Sequence, residues 1–258
     1  MRTTGGVLIT MLLPPGHLPA ELIAVRYPEG SIHGFLALRT LEGETLASGD
    51  LTQVIQGSRV VSRLVFRFRD GSVDDETTVF SQRGQFRLIS DHHIQKGPAF
   101  PQPTDVLTDA STGEITVRYQ EKGKDKIESS HLDLPPDVAN GLIVELVKNI
   151  ASDTKEAKVS YVAAAPKPRL VKLSITPQGQ ETFLVAGTHY IARRFKLKAE
   201  LGGITGVVAP LIGKQPADTY VWMLAGKAPA FVKLEGPQYV GGPIWRLELT
   251  SPVWRRAP

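Results

Sequence analysis

The chain has 258 residues, 41% of them hydrophobic and 22% charged, enough to bury a sizeable core in one large β domain or two small ones. It contains no cysteine, which removes disulfides, thiolate metal sites and a cysteine nucleophile. The formal charge is +4, but Lys and Arg are interleaved with Asp and Glu and form no basic block, so a nucleic-acid partner is not expected.

Residues 1–20, MRTTGGVLITMLLPPGHLPA, have the outline of a secretory signal. Arg2 supplies the positive start, Val7 to Leu13 the apolar run, and Pro19-Ala20 the processing end. Leu18 is larger than the small residue preferred two positions before a cut, and a buried first strand is the competing reading. On the secretory reading the protein is exported to the periplasm or cell envelope, and residues 21–258 form a single β-rich domain. No later segment approaches the ~18 consecutive apolar residues of a membrane span, so the chain is not expected to be membrane-spanning.

From Ser31 to Ile94 apolar and polar residues alternate, and glycine-containing pairs break the runs. Glu42-Gly43 separates two strands. Asp70-Gly71, inside VVSRLVFRFRDGSVDDETTVFSQ, is the strongest hairpin signal in the chain, and Arg83-Gly84 leads into QFRLISDHHI. KGPAFPQPTD, Lys96 to Asp105, carries three prolines and reads as loop. EITVRYQEKGKDKIESSHLDL then forms a hairpin around Gly123. LPPDVANGLIVELVKNI is the one convincing helix, with proline in its first turn and Val138, Leu142, Leu146 and Ile150 repeating at helical spacing. The rest reads as strands: AKVSYVAAA, RLVKLSI, ETFLVAG, HYIARRFKLKAEL, DTYVWMLAG, AFVKLEG and IWRLELT.

Runs of strands around a single helix, without α/β alternation, predict a mainly β fold: a curved antiparallel sheet or half-barrel meander with one packed α-helix on its concave face. The strand meander, the mid-chain LPPDVANGLIVELVKNI and long strands such as HYIARRFKLKAEL together resemble a group of uncharacterised exported bacterial β-rich proteins. Those are similar in shape to the lipoprotein localisation factors, whose curved half-barrel wraps a helix and holds acyl chains. The resemblance covers most of the chain and lies in the order of elements. It implies an envelope location and an apolar cavity, and it supplies no catalytic residues.

Motifs that would name a cofactor fail. Six residues separate Gly206 from Gly213 where a phosphate loop needs four, and Gln215 stands where a Ser or Thr must meet magnesium. There is no G-x-S-x-G elbow and no H-E-x-x-H. Asp91-His92-His93 shares three letters with the DHH phosphoesterases, but the upstream Asp pattern and α/β sheet of those enzymes are missing. No cofactor is expected.

If Asp70-Gly71 and Arg83-Gly84 are both two-residue turns, Phe66, Asp75 and His92 line up across three strands. They share a face with Leu64, Phe68, Val73, Thr77, Val79, Phe86, Leu88 and Ile94, which reads as the buried one. The opposite face carries Arg63, Arg67, Arg87, Asp74, Glu76, Asp91 and His93. The candidate ligand-binding set is therefore Phe66, Phe68, Asp75, Phe86 and His92, with Asp75 and His92 as a polar pair in an apolar cavity. Asp74, Glu76, Asp91 and His93 are a block of metal donors, but Arg63, Arg67 and Arg87 balance their charge, so no metal is assigned. Catalytic residues are not assigned either. The sequence predicts a non-enzymatic envelope protein that binds or carries an apolar small molecule or acyl chain in the concave face of its sheet. The alternatives are a structural or interaction protein with a filled core, and a hydrolase using Asp75 and His92.

Overall fold

The computed structural model describes residues 22–164, 167–185, 187–200 and 216–250. The expected secretory segment, residues 1–20, lies outside them. The strands of the first half are β1 (Ile32–Arg39), β2 (Thr45–Gln56), β3 (Arg59–Phe68), β4 (Val73–Ser81), β5 (Arg87–Lys96), β6 (Thr104–Asp109), β7 (Glu114–Glu121) and β8 (Lys124–His131). After α1 (Ile143–Asn149) come β9 (Ala157–Ala163), β10 (Arg169–Val185), β11 (Thr188–Glu200), β12 (Thr219–Leu224), β13 (Phe231–Pro237) and β14 (Ile244–Leu249).

Among the described residues all the strands belong to one 14-stranded sheet of order β8-β7-β6-β5-β4-β3-β2-β1-β14-β13-β12-β11-β10-β9. Two antiparallel meanders are joined where β1 pairs with β14, and no pairing among the described residues closes the sheet between β8 and β9. It curls nonetheless. Phe80, Leu88, Ile115 and Val117 from one half and Val159, Ile175, Phe195 and Val221 from the other meet in one buried cluster around Leu142, Leu146, Val147 and Ile150 of the helical segment. So many strands must curve to bury one face, and the helix fills the space that the curvature leaves.

The helix is shorter than the spacing predicts. It has seven residues, while the chain before it runs along the outer edge of β9. Ala139 N–H donates to Ser160 O at 2.9 Å and Ser160 N–H to Asp137 O at 3.1 Å. The Asn140 side chain takes up both backbone groups of Val162, at 3.0 and 2.8 Å. These bonds cover the sheet edge that would otherwise be open. Val138, Leu142, Leu146 and Ile150 are all buried, so their spacing reported one apolar side without a helix running through all of it.

Two further segments close over the concave face. Asn149, 1% exposed, accepts the N–H groups of Arg26 and Tyr27 at 2.7 Å and fastens the first described residues to α1. The proline-rich loop between β5 and β6 inserts Phe100 over the middle of the sheet, its ring centroid 5.3 Å from that of Phe68. Tyr239 and Trp245 complete that aromatic group. β6 has no counterpart among the predicted strands and takes its first two residues, Thr104 and Asp105, from the predicted loop; RLVKLSI and ETFLVAG, predicted as two strands, are joined in β10 across a bulge between Pro177 and Gln180.

Candidate functional site

The first hairpin decides what faces inward. Phe68 N–H donates to Ser72 O at 3.0 Å and Gly71 N–H to Phe68 O at 3.2 Å, so the loop has three residues, Arg69, Asp70 and Gly71. Gly71 lies at φ 86°, the left-handed position that such loops reserve for glycine. Phe66 therefore opposes Asp74, and Asp75 opposes Val65. A second irregularity follows on β5, where Phe80 opposes Leu88 but Val79 opposes Ser90, leaving Ile89 as a β-bulge. Past the bulge the strand presents Asp91, His93 and Gln95 to the face that carries Leu88. Bulges re-aim side chains in this way.

The predicted pair of Asp75 and His92 is thereby corrected. Both residues point outward, and the alternation along β4 and β5 sets Val73, Thr77 and Ile94 on that side with them. Asp75 is held by Arg63 at 2.6 and 2.9 Å, and the guanidinium keeps its carboxyl below the usual carboxylate range. His92 meets Asp105 at 2.8 Å. Phe66, Phe68 and Phe86 do face inward, but they are packed: Phe66 under the open backbone of Gly49, Phe68 under Phe100, Phe86 beside Phe80. Asp75 and His92 share the outer face, and their hydrogen bonds go to Arg63 and Asp105 instead of into the core.

What the inner face holds instead is the acidic block that the sequence reading placed on the surface. His93 Nε2 and Asp74 Oδ1 are 2.6 Å apart. Gln95 Nε2 donates to Asp74 Oδ2 at 2.9 Å and to Gln238 O at 2.8 Å. Thr78 donates its hydroxyl to Asp91 Oδ1 at 3.0 Å. Glu76 opposes His93, and Thr108 on β6 opposes Asp91. Tyr161 on β9 and Glu145 on α1 bring the far end of the sheet and the helix to the same place, within electrostatic range of Glu76. Gly141 lies against Thr78 and Asp91 at φ 65°, so close that a β-carbon would stand 2.0 Å from Thr78 Oγ1. No group of three or more such side chains among the described residues is placed to hold a metal ion.

Burial sets the charges of this cluster. It raises the Asp91 carboxyl to about 7, helped by the negative charge of Glu76. Glu76 is raised by burial and by the charges of Asp74 and Glu145, against the opposing charge of His93. Burial by itself would lower His93, but the hydrogen bond with Asp74 and the charges of Glu76, Asp74 and Asp91 lift it to about 10, so the ring is an imidazolium at neutral pH. Glu145 rises to about 7 through burial and the nearby Glu29, against the opposing charge of Lys148. Tyr161 is pushed up by burial and the surrounding carboxylates.

Asp74, Thr78 and Asp91 are buried, yet Glu76, His93, Glu145 and Tyr161 are enclosed by protein and still keep accessible surface. For His93 it is 30% of the side chain. These partly exposed groups and the buried ones gather where β4, β5, β9 and α1 meet. Val106 lies opposite His93 on β6 and, like Val144 of α1, is a partly buried residue packed against the core.

A raised acid penalises the folded state where it is ionised. For Asp91 the effect is absent below the unfolded pKa of ~3.9, grows as pH rises through about 7, and is constant above. Asp91→Asn keeps the acceptor for Thr78 and removes the charge. Its melting temperature is expected to gain on the unsubstituted protein from pH 4 to pH 8, by the equivalent of on the order of 3 kcal/mol. A difference independent of pH would show that Asp91 is ionised throughout.

No known protein-family description matches the chain, and no curated protein matches it. Among solved structures it is similar to the β-barrel-like protein of the domain of unknown function DUF1849 from Brucella abortus, with 10% identity and a TM-score of 0.43 over 88% of this chain and 100% of that one. A likeness this distant says nothing of ligand or activity. No helix among the described residues is long and apolar enough to cross a membrane.

Proposed function

We propose that the protein is a non-enzymatic binding or carrier module of the cell envelope that holds an amphiphilic, lipid-like molecule between its curved sheet and α1. The observation that carries this reading is the accessible surface kept by Glu76, His93, Glu145 and Tyr161 inside an otherwise packed interior. Sites of this kind combine an apolar lining with a few converging polar groups. Val106, across from His93, supplies apolar surface beside the ionisable groups, which supply the polar end. The aromatic residues expected to bind the ligand, Phe66, Phe68 and Phe86, are in this reading the packed wall of the fold. The envelope location rests on the composition of residues 1–20 and on the resemblance in element order to uncharacterised exported bacterial β-rich proteins.

Binding is favoured over catalysis by the state of the acid–base groups. His93 is a paired imidazolium and is no base at neutral pH, and Asp91 is 3% exposed. Native mass spectrometry of protein taken from its own cells is expected to show a noncovalent adduct, on a chain shortened by about the first twenty residues. An adduct-free, unprocessed chain whose melting temperature ignores added amphiphiles would defeat the proposal and support a filled, purely structural core.

A further inference from the structure

The two ends of the sheet are finished differently. The free side of β9 is covered by the segment through Asp137, Ala139 and Asn140. No strand among the described residues pairs with the free side of β8. β8 is eight residues long, and all of them are exposed except Glu128 and Ser130, which are partly so. An edge of this length and openness is a template for a further strand.

Which backbone groups the edge offers follows from its hairpin. Lys122 at φ 52° and Gly123 at φ 73° form a two-residue turn with both central residues left-handed. The register with β7 then runs unbroken from Glu121–Lys124 to Glu114–His131. One step further on, Leu132 N–H donates to Gly113 O at 2.9 Å. Successive residues of an antiparallel strand turn their N–H and C=O to opposite sides, so Lys124, Lys126, Glu128 and Ser130 bond to β7. Asp125, Ile127, Ser129 and His131 turn theirs outward.

We propose that β8 pairs with β8 of a second copy of this chain, antiparallel about a two-fold axis at Ile127. Hydrogen bonding admits only registers in which the outward-turned residues face one another, and charge chooses among them. With Ile127 opposite its own copy, Lys126 of each chain faces Glu128 of the other, in the pairs whose side chains lie closest. Moving one strand to the next allowed register sets Lys126 against Lys126 in one direction and Glu128 against Glu128 in the other. Like charges directly opposite are unfavourable. Lysines on an edge commonly keep it unpaired, but here each has an acid to meet. Neither Lys126 nor Glu128 has an ion-pair partner within its own chain among the described residues. Ile127 is 68% exposed, the most exposed large hydrophobic side chain among the described residues, and the pairing lays it against its counterpart. Since the segment before α1 already covers β9, the assembly closes at two chains and does not extend into a fibre.

The test is sedimentation of the full-length protein over a range of concentrations. One pair of strands is a small interface, so the dimer is expected to be weak and to appear at concentrations on the order of 100 µM. Lys126→Glu and Glu128→Lys should each weaken self-association about tenfold or more, because each sets like charges opposite one another. Mixed in equal amounts, these two variants should associate with each other, since one then carries acids at both positions and the other bases. Ile127→Pro removes an outward N–H at the axis and no bond to β7, so it should abolish the dimer and leave the melting temperature of the monomer nearly unchanged. Should that variant fail to fold, the two charge variants, altered only at the open edge, still decide. A chain that stays monomeric at every concentration would overturn the self-pairing and leave the edge to a strand of another protein. A dimer undiminished by Ile127→Pro would overturn it by placing the interface elsewhere. Charge variants that fail to associate on mixing would overturn the register about Ile127.

Discussion

His93→Ala is expected to destabilise the protein by about 3–5 kcal/mol, because it strands Asp74, itself 7% exposed, without its ionic partner. Gln95 still donates to the other oxygen of Asp74, which places the effect toward the lower end of that range. His92→Ala, one residue away in sequence, removes a contact whose partners are 40% and 30% exposed, and should change stability by only ~0.2–1 kcal/mol. Replacing both inner partners, Asp74→Leu with His93→Leu, should recover much of the loss, since a matched apolar pair needs no ionic compensation. Denaturant titration of the four proteins gives the comparison. Equal effects, or a larger one at His92, would mean that the bulge at Ile89 is absent and that the polar cluster does not face inward.

Gly141→Ala is the second substitution with a large expected effect. Alanine there meets two separate penalties: the left-handed backbone at φ 65°, and a β-carbon 2.0 Å from Thr78 Oγ1 and 2.8 Å from Asp91 Oδ1. Together they should cost about 3 kcal/mol or more. Gly123 supplies the control, because it has φ 73° and open space where a β-carbon would go. Gly123→Ala should lose only the backbone contribution, about 1 kcal/mol. The difference between the two variants measures how tightly the segment before α1 presses on the cluster. If the two lose equally, that segment is not seated on β4 and β5 as described.

Much of the fold was legible because alternation and turn residues are local properties. The runs around Gly43, Gly123 and the C-terminal strands show which stretches pair with their neighbours in sequence, and a strand takes its period from its own side chains. The helical stripe in LPPDVANGLIVELVKNI was also visible, though half of it proved to be a strap along β9, because Asn140 pairs with the edge of β9 and Gly141 takes a left-handed backbone at φ 65°. β6 escaped notice since TDVLTD has too few apolar residues to alternate clearly.

Within β4 and β5 the grouping was legible, Asp74, Glu76, Asp91 and His93 on one side and Asp75 and His92 on the other, but Phe66, Phe68 and Phe86 lie with the acidic group, and Arg63 lies with Asp75. Which side is buried was not. Orientation depends on whether Asp70-Gly71 closes a loop of two residues or three, and on one extra residue at Ile89. Side chains alternate with period two, so each such choice inverts everything downstream. By composition the face with Phe66 and Val73 looked like the interior, and the acidic one like the surface. The sequence by itself determined a mainly β chain, a meander of strands and, within β4 and β5, the grouping of these residues. Only the tertiary structure turned the acidic side inward, because the curled sheet, α1 and the strap through Gly141 could bury Asp91 and enclose Glu76 once Asp74, His93, Gln95 and Thr78 had partners there.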